Sequence, residues 1–273
     1  MCGSGEGTRF MIKQVAALSC CSLLFACAGG PPQLPYPAFV QSDTLEDMFL
    51  ADLPGVRAKH LAGDMMTRLT SKRIDLPAGW SGTSGGAAGH DLEIFVLAGS
   101  LTLGDIEMRT GGYAYLPADS FGFNMATQNG ARILYFVSDA DADAVIQTPL
   151  IINADQLDWR GASVPGLSAR ELRGDPGSGA RAWLLRIEVG AAIPWEISSA
   201  KREGYLVAGE YLHSECVNGA AVTDEYLPGG YFQRPAGAIN GGPQAGAQST
   251  TIWFLRETEA ATHRVVDDCA PTN

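Results

Sequence analysis

The sequence is short of charge, and the charge that it has is mostly negative. Charged residues make up only 18% of the 273 residues, with 19 Lys and Arg against 30 Asp and Glu. An acidic chain is repelled by phosphate backbones, which argues against nucleic acid as a partner. The uncharged apolar run at residues 15–26 is too short to cross a bilayer as a helix, because a crossing takes about 20 residues.

Helical periodicity is also scarce, whereas turn-forming residues are plentiful. The chain has 33 Gly, 15 Pro and 46% apolar residues, which excludes a disordered protein and favours strands joined by turns. A short helix is expected only over residues 45–53. In the first half of the chain, strands are expected at residues 67–76, 94–103, 112–116 and 132–137.

The N-terminus has the features of a secretory signal. Arg9 and Lys13 precede the apolar run, and small residues surround Cys27. Residues 24–27, Leu-Phe-Ala-Cys, resemble a bacterial lipobox, in which the cysteine becomes the lipidated N-terminus after cleavage. The resemblance implies a signal peptide over residues 1–27 and a lipid anchor on Cys27.

This resemblance also implies a location. Ala28 rather than Asp follows the cysteine. The lipobox resemblance therefore implies a bacterial envelope lipoprotein of the outer membrane that faces the periplasm. A cleaved secretory signal without lipid and a retained helix stay open as alternatives, as does Met11 in place of Met1 as the start. Residues 28–42, rich in Gly and Pro, are expected to be a tether.

Cysteine is rare outside this targeting segment. Only Cys216 and Cys269 remain in the rest of the chain. In an oxidising compartment the two can form a disulfide that ties the C-terminal tail to the second half of the chain. Two separate thiols are the alternative.

The chain repeats itself, with an offset of 111 residues at the first match. The repeat predicts two copies of one domain, residues 43–145 and 146–273. The matching blocks occur in the same order in both copies: 54–64 with 165–175, 93–99 with 203–209, 111–118 with 229–236, and 135–137 with 253–255.

The repeated blocks resemble the cupin superfamily. Its first motif ends in a Glu and a closing Gly, as Glu203 and Gly209 do here, and its second has a Gly, five residues and a Pro, as residues 229–235 do. Residues 203–205, 230–232 and 234–237 resemble more narrowly the ChrR-like cupins and an uncharacterised bicupin group. The resemblance implies an all-β chain of two tandem jelly-roll barrels of the RmlC-like type.

The metal ligands of the family are largely missing. Metal-binding cupins use three His and one Glu, but residues 194–202 contain no His and Asn240 stands at the last His position. In the first copy His90 and Glu93 are half a site. A nonstandard site from Glu203, His213 and Glu215 stays open, although a hydrogen-bonded strand histidine is the simpler interpretation of His213.

Two functions therefore remain. The first is a metal-poor bicupin lipoprotein that binds an unidentified small molecule or serves as an interaction module, without a cofactor. The second is a metal-dependent enzyme of the dioxygenase type using Fe, Mn, Ni or Zn. A homodimer stays open, and no catalytic residue can be named. The candidate pocket residues are His90, Glu93, Glu203, Arg234 and Asn240, with Arg234 expected to pair with Glu203 inside the second barrel.

Overall fold

The computed structural model describes Tyr36 and residues 39–84, 89–120 and 122–269. The expected signal peptide and Cys27 lie outside these residues. Within the described part, no helix is both long and apolar enough to span a bilayer. The first half contains a 3-10 helix at Ser42–Thr44 and the strands β1 (Val40–Gln41), β2 (Asp47–Met48), β3 (Arg57–Asp64), β4 (Leu69–Leu76), β5 (Ser81–Ser84), β6 (His90–Leu103), β7 (Ile106–Arg109), β8 (Gly112–Leu116), β9 (Phe123–Ala126) and β10 (Ala131–Asp139).

The second half follows the same plan, which confirms an all-β chain. It contains a 3-10 helix at Ala154–Gln156 and the strands β11 (Leu150–Asn153), β12 (Arg160–Gly161), β13 (Leu167–Gly174), β14 (Arg181–Ile187), β15 (Trp195–Ser198), β16 (Arg202–Ala208), β17 (Tyr211–Val217), β18 (Ala220–Tyr226), β19 (Gly230–Arg234), β20 (Ile239–Gly241), β21 (Gly246–Ala247), β22 (Thr251–Glu257) and β23 (His263–Val266).

Each half forms a barrel. In the first, the sheet β11-β8-β6-β10-β4-β3-β2 is joined by β5, β7 and β9. In the second, the sheet β1-β19-β16-β22-β14-β13-β12 faces the sheet β18-β17-β20-β15-β23. The central strands occur in the same order in both halves, so the structure supports the internal repeat.

The central strands are buried on both faces. In β8, Ala114 and Leu116 point into the first barrel, whereas Tyr113 and Tyr115 point into a layer between the barrels. Residues from both halves share this layer, where the Phe254 ring lies 4.8 Å from Phe95. Burial on both faces explains why β8 has no alternation of polar and apolar residues.

A glycine closes the central strand at the same place in each copy. Gly99 and Gly209 have φ of +77° and +83°, and a Cβ on either would overlap the carbonyl oxygen of the residue just before the neighbouring strand. Only glycine fits such a position. The two glycines also align the repeat: Gly99 lies against Ala131 and Gly209 lies against Thr251.

This alignment corrects the fourth block of the repeat by two residues. Phe136, five residues after Ala131, corresponds to Arg256, five residues after Thr251. The match of residues 135–137 with residues 253–255 pairs Phe136 with Phe254 instead. A shift of two keeps every side chain on its own face of the sheet, so matching apolar residues alone cannot detect it.

The domain boundaries also differ from the expected ones, because the two halves exchange strands. Strand β11, assigned to the second domain, pairs with β8 of the first barrel. Strand β1, within the expected tether, pairs with β19 of the second barrel. Each sheet is therefore completed by the segment that precedes the other copy.

The helix expected over residues 45–53 is wrong. Strand β2 lies there and pairs with β3, with Asp47 opposite Lys59 and an ion pair of 2.8 Å between their side chains. Pairing with a neighbouring strand overrides the weak local helix preference of such a short segment.

Candidate functional site

The inward-facing positions of the two barrels carry different chemistry. In the first barrel Leu103, four residues after Gly99, and Leu116, just before Pro117, belong to an apolar core. The same positions of the second barrel, four residues after Gly209 and just before Pro235, carry His213 and Arg234. Two further pairs follow this pattern: Leu101 corresponds to Tyr211 and Met108 to Tyr226.

A buried cluster of Arg234, Glu215 and His213 stands at the centre of these polar positions. The Arg234 guanidinium donates through Nε to both Glu215 carboxylate oxygens at 3.1 Å, and through Nη2 to Oε1 at 2.7 Å. His213 Nε2 lies 2.8 Å from Arg234 Nη2 and 2.9 Å from Glu215 Oε1. Its other ring nitrogen, Nδ1, is buried without a hydrogen-bond partner.

Aromatic rings hold this cluster in place. The Arg234 guanidinium lies 4.1 Å from the centroid of the Phe232 ring, and the His213 ring stacks on the same ring with an interplanar angle of 3°. Tyr36, within the expected tether, donates its hydroxyl to Glu215 Oε2 at 2.7 Å. Tyr36, four residues before β1, thus contacts the cluster.

Electrostatics fixes the charge state of the cluster. Burial opposes ionisation of Glu215, but Arg234 and His213 outweigh it and hold the pKa of this carboxyl well below its usual range. Burial lowers the pKa of His213, so the ring is neutral at physiological pH. Arg234 and Glu215 therefore form a buried ion pair beside a neutral imidazole.

A cavity of about 400 Å³ lies beside the cluster inside the second barrel. This volume falls within the roughly 300–1,000 Å³ of small-molecule sites. One wall is polar, formed by Arg234, His213, Asn240, Glu196, Arg202 and His263, and the other is largely apolar, formed by Trp183, Leu185, Ile187, Ile193, Phe232 and Trp253.

A second group of charges surrounds Glu257 at the cavity wall. The Glu257 carboxylate accepts from Arg181 Nε at 2.7 Å and from Arg202 Nε at 2.9 Å. His263, on the edge strand β23, lies 2.7 Å from Arg181 Nη2 and 2.8 Å from Arg202 Nη2. Burial opposes ionisation of Glu257, but His263 and the two arginines outweigh it and lower its pKa to about 2.

Glu203 does not point into the second barrel, which corrects the expected pair with Arg234. It shares its strand face with Tyr205, which lies in the layer between the barrels, whereas Leu206 faces inward. There the Glu203 carboxylate accepts from Ser71 Oγ at 2.5 Å and from Tyr231 Oη at 2.9 Å. Its nearest cation is Arg256, at 3.3 Å, and Lys201 lies at 4.0 Å.

Glu93 lies in the same layer, so His90 and Glu93 do not form half a metal site. Arg256 Nη2 donates to Glu93 at 2.8 Å, and Tyr113 donates its hydroxyl at 2.6 Å. Arg256 thus bridges one glutamate from each copy. Burial opposes ionisation of Glu93, but Arg256 and Arg173 outweigh it and hold its pKa below the usual range.

Of the remaining predicted site residues, some line the cavity and others do not. Asn240 and Arg234 line the cavity. His90 lies apart, with its Nδ1 4.0 Å from the Asp139 carboxylate. Cys216 and Cys269 form a disulfide, which confirms that expectation. Arg256 was not among the predicted site residues, although the two charged residues that end the apolar strand β22 were an available signal.

Comparison with solved structures identifies the class of fold. The chain is similar to a dioxygenase candidate from Nostoc punctiforme (TM-score 0.65, 16% identity, covering 84% of this chain and 87% of that one) and to the protein YlbA of E. coli (0.65, 14%, 84% and 92%). It is also similar to a deletion mutant of Bacillus subtilis oxalate decarboxylase (0.60, 9%, 83% and 78%). The protein therefore has the cupin fold, with two jelly-roll barrels.

The chain belongs to the family described as Domain of unknown function (DUF4437), which matches residues 51–262. A comparison with curated proteins finds none that matches. The match spans both barrels, in agreement with the expected uncharacterised bicupin group.

Proposed function

We propose that this protein binds a small molecule inside its second barrel, without a resident metal, while the first barrel is structural. The observation that carries the proposal is the contrast at equivalent inward positions. Leu103 and Leu116 fill the first barrel, whereas His213 and Arg234 border a cavity in the second. Concave sites with an apolar wall and a few convergent polar groups are typical of small-molecule binding.

The donor atoms inside the second barrel fit a metal poorly. The candidate ligands are one imidazole, His213, and one carboxylate, Glu215, and the Arg234 guanidinium contacts both of them. A guanidinium cannot lose its proton, so a metal cation there would face a fixed positive charge. Among the described residues, no three His, Cys, Asp or Glu side chains are grouped so that they could hold a metal.

Two measurements on the purified protein test the proposal. Elemental analysis should find transition metal well below one equivalent. Ligand-observed NMR with a library of small aromatic and aliphatic fragments should find binders that Ala169→Phe, which fills the cavity, no longer binds. Ala220→Phe on the exposed strand β18 is the matched control and should bind as the unmodified protein does.

The metal-dependent alternative has a distinct outcome. If the protein holds one equivalent of Fe, Mn, Ni or Zn and Glu215→Gln removes it, the protein is a metal-dependent cupin and our proposal is wrong. If Ala169→Phe and Ala220→Phe bind the same fragments equally, ligands do not enter the second barrel.

We further propose that the protein is an envelope lipoprotein anchored through Cys27. The basic residues, the apolar run and the lipobox-like residues 24–27 support this. Mass spectrometry of the N-terminal peptide should find diacylglycerol on Cys27, and Cys27→Ser should move the protein to the soluble fraction. An unmodified N-terminus further downstream would contradict the proposal.

A further inference from the structure

Arg181 and Arg202 aim two guanidinium groups at one imidazole. Both arginines use Nε for Glu257, which leaves their Nη2 atoms to contact His263. Arg181 Nη2 lies 2.7 Å from His263 Nε2, and Arg202 Nη2 lies 2.8 Å from Nδ1 and 3.2 Å from Nε2. Both ring nitrogens of His263 thus face a guanidinium, and Nε2 also lies 3.3 Å from Glu257 Oε1.

This arrangement gives one of the two guanidinium donors no acceptor on the ring. A guanidinium only donates hydrogen bonds, and a neutral imidazole has one acceptor nitrogen, the other carrying a proton. His263 can therefore accept from Arg181 or from Arg202, but not from both. If the ring took up a proton, it could accept from neither. The place occupied by His263 is better suited to a group with two acceptor atoms.

A carboxylate is such a group. Its two oxygens can accept from two guanidinium groups at once, and hydrogen bonds between ions of opposite charge are about twice as strong as neutral ones. Glu257 already uses the Nε atoms in this way, with its carboxylate shared between Arg181 and Arg202. A second carboxylate in place of His263 would complete the arrangement at the Nη2 atoms.

His263 can be displaced at small cost. It lies on β23, a four-residue strand at the sheet edge whose pairing partner is β15. Three of the four residues of β23 are exposed. The disulfide between Cys216 and Cys269 holds the end of this segment close to the barrel, so β23 can shift without leaving.

The rest of the ligand is defined by the cavity. The Arg181 guanidinium lies 4.1 Å from the centroid of the Trp183 ring, and Phe232 and Trp253 continue the aromatic wall inward. A molecule held by its carboxylate at the two arginines would place its remaining atoms against these rings. Such a wall stabilises an apolar body through loss of water-exposed surface.

We infer that the second barrel binds a small monocarboxylic acid with an apolar, ring-sized body, whose carboxylate replaces His263 between Arg181 and Arg202. This inference rests on the proposed function and specifies the ligand class for the same cavity. His263 then acts as an internal occupant of the carboxylate position, which a ligand must displace.

Isothermal titration with benzoate and its neutral isostere benzamide tests the inference. Benzoate should bind at least about tenfold more tightly than benzamide, a difference of about 1.4 kcal/mol. Arg181→Gln should remove this preference. His263→Ala should tighten benzoate binding several-fold, because it removes the competing occupant. Ala169→Phe should abolish binding of both probes.

Arg186 provides a matched control. Its guanidinium lies 4.8 Å from the centroid of the Trp159 ring, outside the Glu257 cluster. Arg186→Gln should leave benzoate binding unchanged. Equal affinity for benzoate and benzamide, or weaker benzoate binding in His263→Ala, would overturn the inference.

Failure of the inference is distinguishable from failure of the proposed function. If benzamide or other neutral fragments bind inside the second barrel and benzoate gains nothing from its charge, the inference is wrong and the binding function stands. If neither probe nor any library fragment depends on the cavity, both are wrong.

Discussion

The two barrels share strand order and the glycine that closes the central strand, yet their interiors differ. Inward positions of the first barrel carry Leu101, Leu103 and Leu116, all fully buried in an apolar core. In the second barrel they carry charged and aromatic groups beside a cavity. A packed apolar core adds stability, whereas a buried polar cluster with a cavity adds little, so the first barrel is the more stabilising copy and the second has room for the proposed ligand.

Introducing the charge of the second barrel into the first is the most severe test of this contrast. Leu116→Arg would place an unpaired guanidinium in the apolar core, and we expect a loss of at least about 4 kcal/mol in the free energy of unfolding, or no folded protein. The control Leu116→Met should cost less than about 1.5 kcal/mol. Urea denaturation followed by the fluorescence of Trp80, in the first core, measures both. Equal losses in the two variants would mean that this interior tolerates charge.

The connection between the barrels can be broken at one residue. Arg256→Met removes the cation that Glu93 and Glu203 share. Arg173 stays 3.4 Å from Glu93 and Lys201 stays 4.0 Å from Glu203, so we expect a loss at the lower end of the range for a broken buried pair, about 3 kcal/mol. The exposed pair of Arg132 with Asp75 is the control, and Arg132→Gln should cost less than about 1 kcal/mol. Because Arg256 serves both copies, both barrels should lose stability in a urea titration. A shift confined to the second barrel would contradict the bridging role.

Removal of the disulfide should destabilise one barrel and not the other, with a smaller loss. Cys216 and Cys269 are 53 residues apart and both lie in the second half. The double variant Cys216→Ser, Cys269→Ser should lose about 2–4 kcal/mol. The loss should be confined to the second barrel, as measured by hydrogen exchange of peptides from each half. Reductant should destabilise the unmodified protein by a similar amount and have no further effect on the variant.

Acid should also act more strongly on the second barrel. The folded-state pKa values of Glu215 and Glu257 lie below their usual range, that of Glu257 at about 2. The unfolded chain therefore takes up protons first, and stability should fall as the pH drops from about 5 towards 2. At pH 4 the expected loss of stability is smaller than the losses expected from Leu116→Arg, Arg256→Met and the removal of the disulfide.

Urea midpoints measured between pH 2 and pH 6 test the acid effect. Glu257→Gln should flatten the dependence, since one of the depressed carboxyls is gone. An unchanged slope in Glu257→Gln would show that Glu257 does not contribute to acid sensitivity.

Much of the fold could be predicted from the sequence, because local patterns determine it. Strand β8 was predicted with its observed bounds, and the glycines at 99 and 209 mark equivalent turns. Cysteine scarcity left the disulfide and two separate thiols as alternatives, and the structure has the disulfide. The exchange of β1 and β11 could not be predicted, since these strands are two and four residues long and acquire their role only by pairing.

The site was harder to predict, because the face of each strand decides it. Glu203 lies six residues before the closing Gly209, and the strand pairing shifts register between Leu206 and Ala208. Such a bulge inserts one residue and reverses any face assignment counted across it. His213 and Glu215 lie beyond the glycine on β17, where alternation correctly places both on one face.

The exchange of β1 and β11 makes this chain an intramolecular version of a domain-swapped dimer. Each sheet receives its outermost strand from outside its own repeat, so a half expressed alone would expose an unpaired sheet edge. Such an edge accepts the same strand from another molecule as readily as from its own chain. Shortening the connection that carries β1 or β11 should thus favour strand pairing between molecules over pairing within one chain, which makes connection length a determinant of assembly.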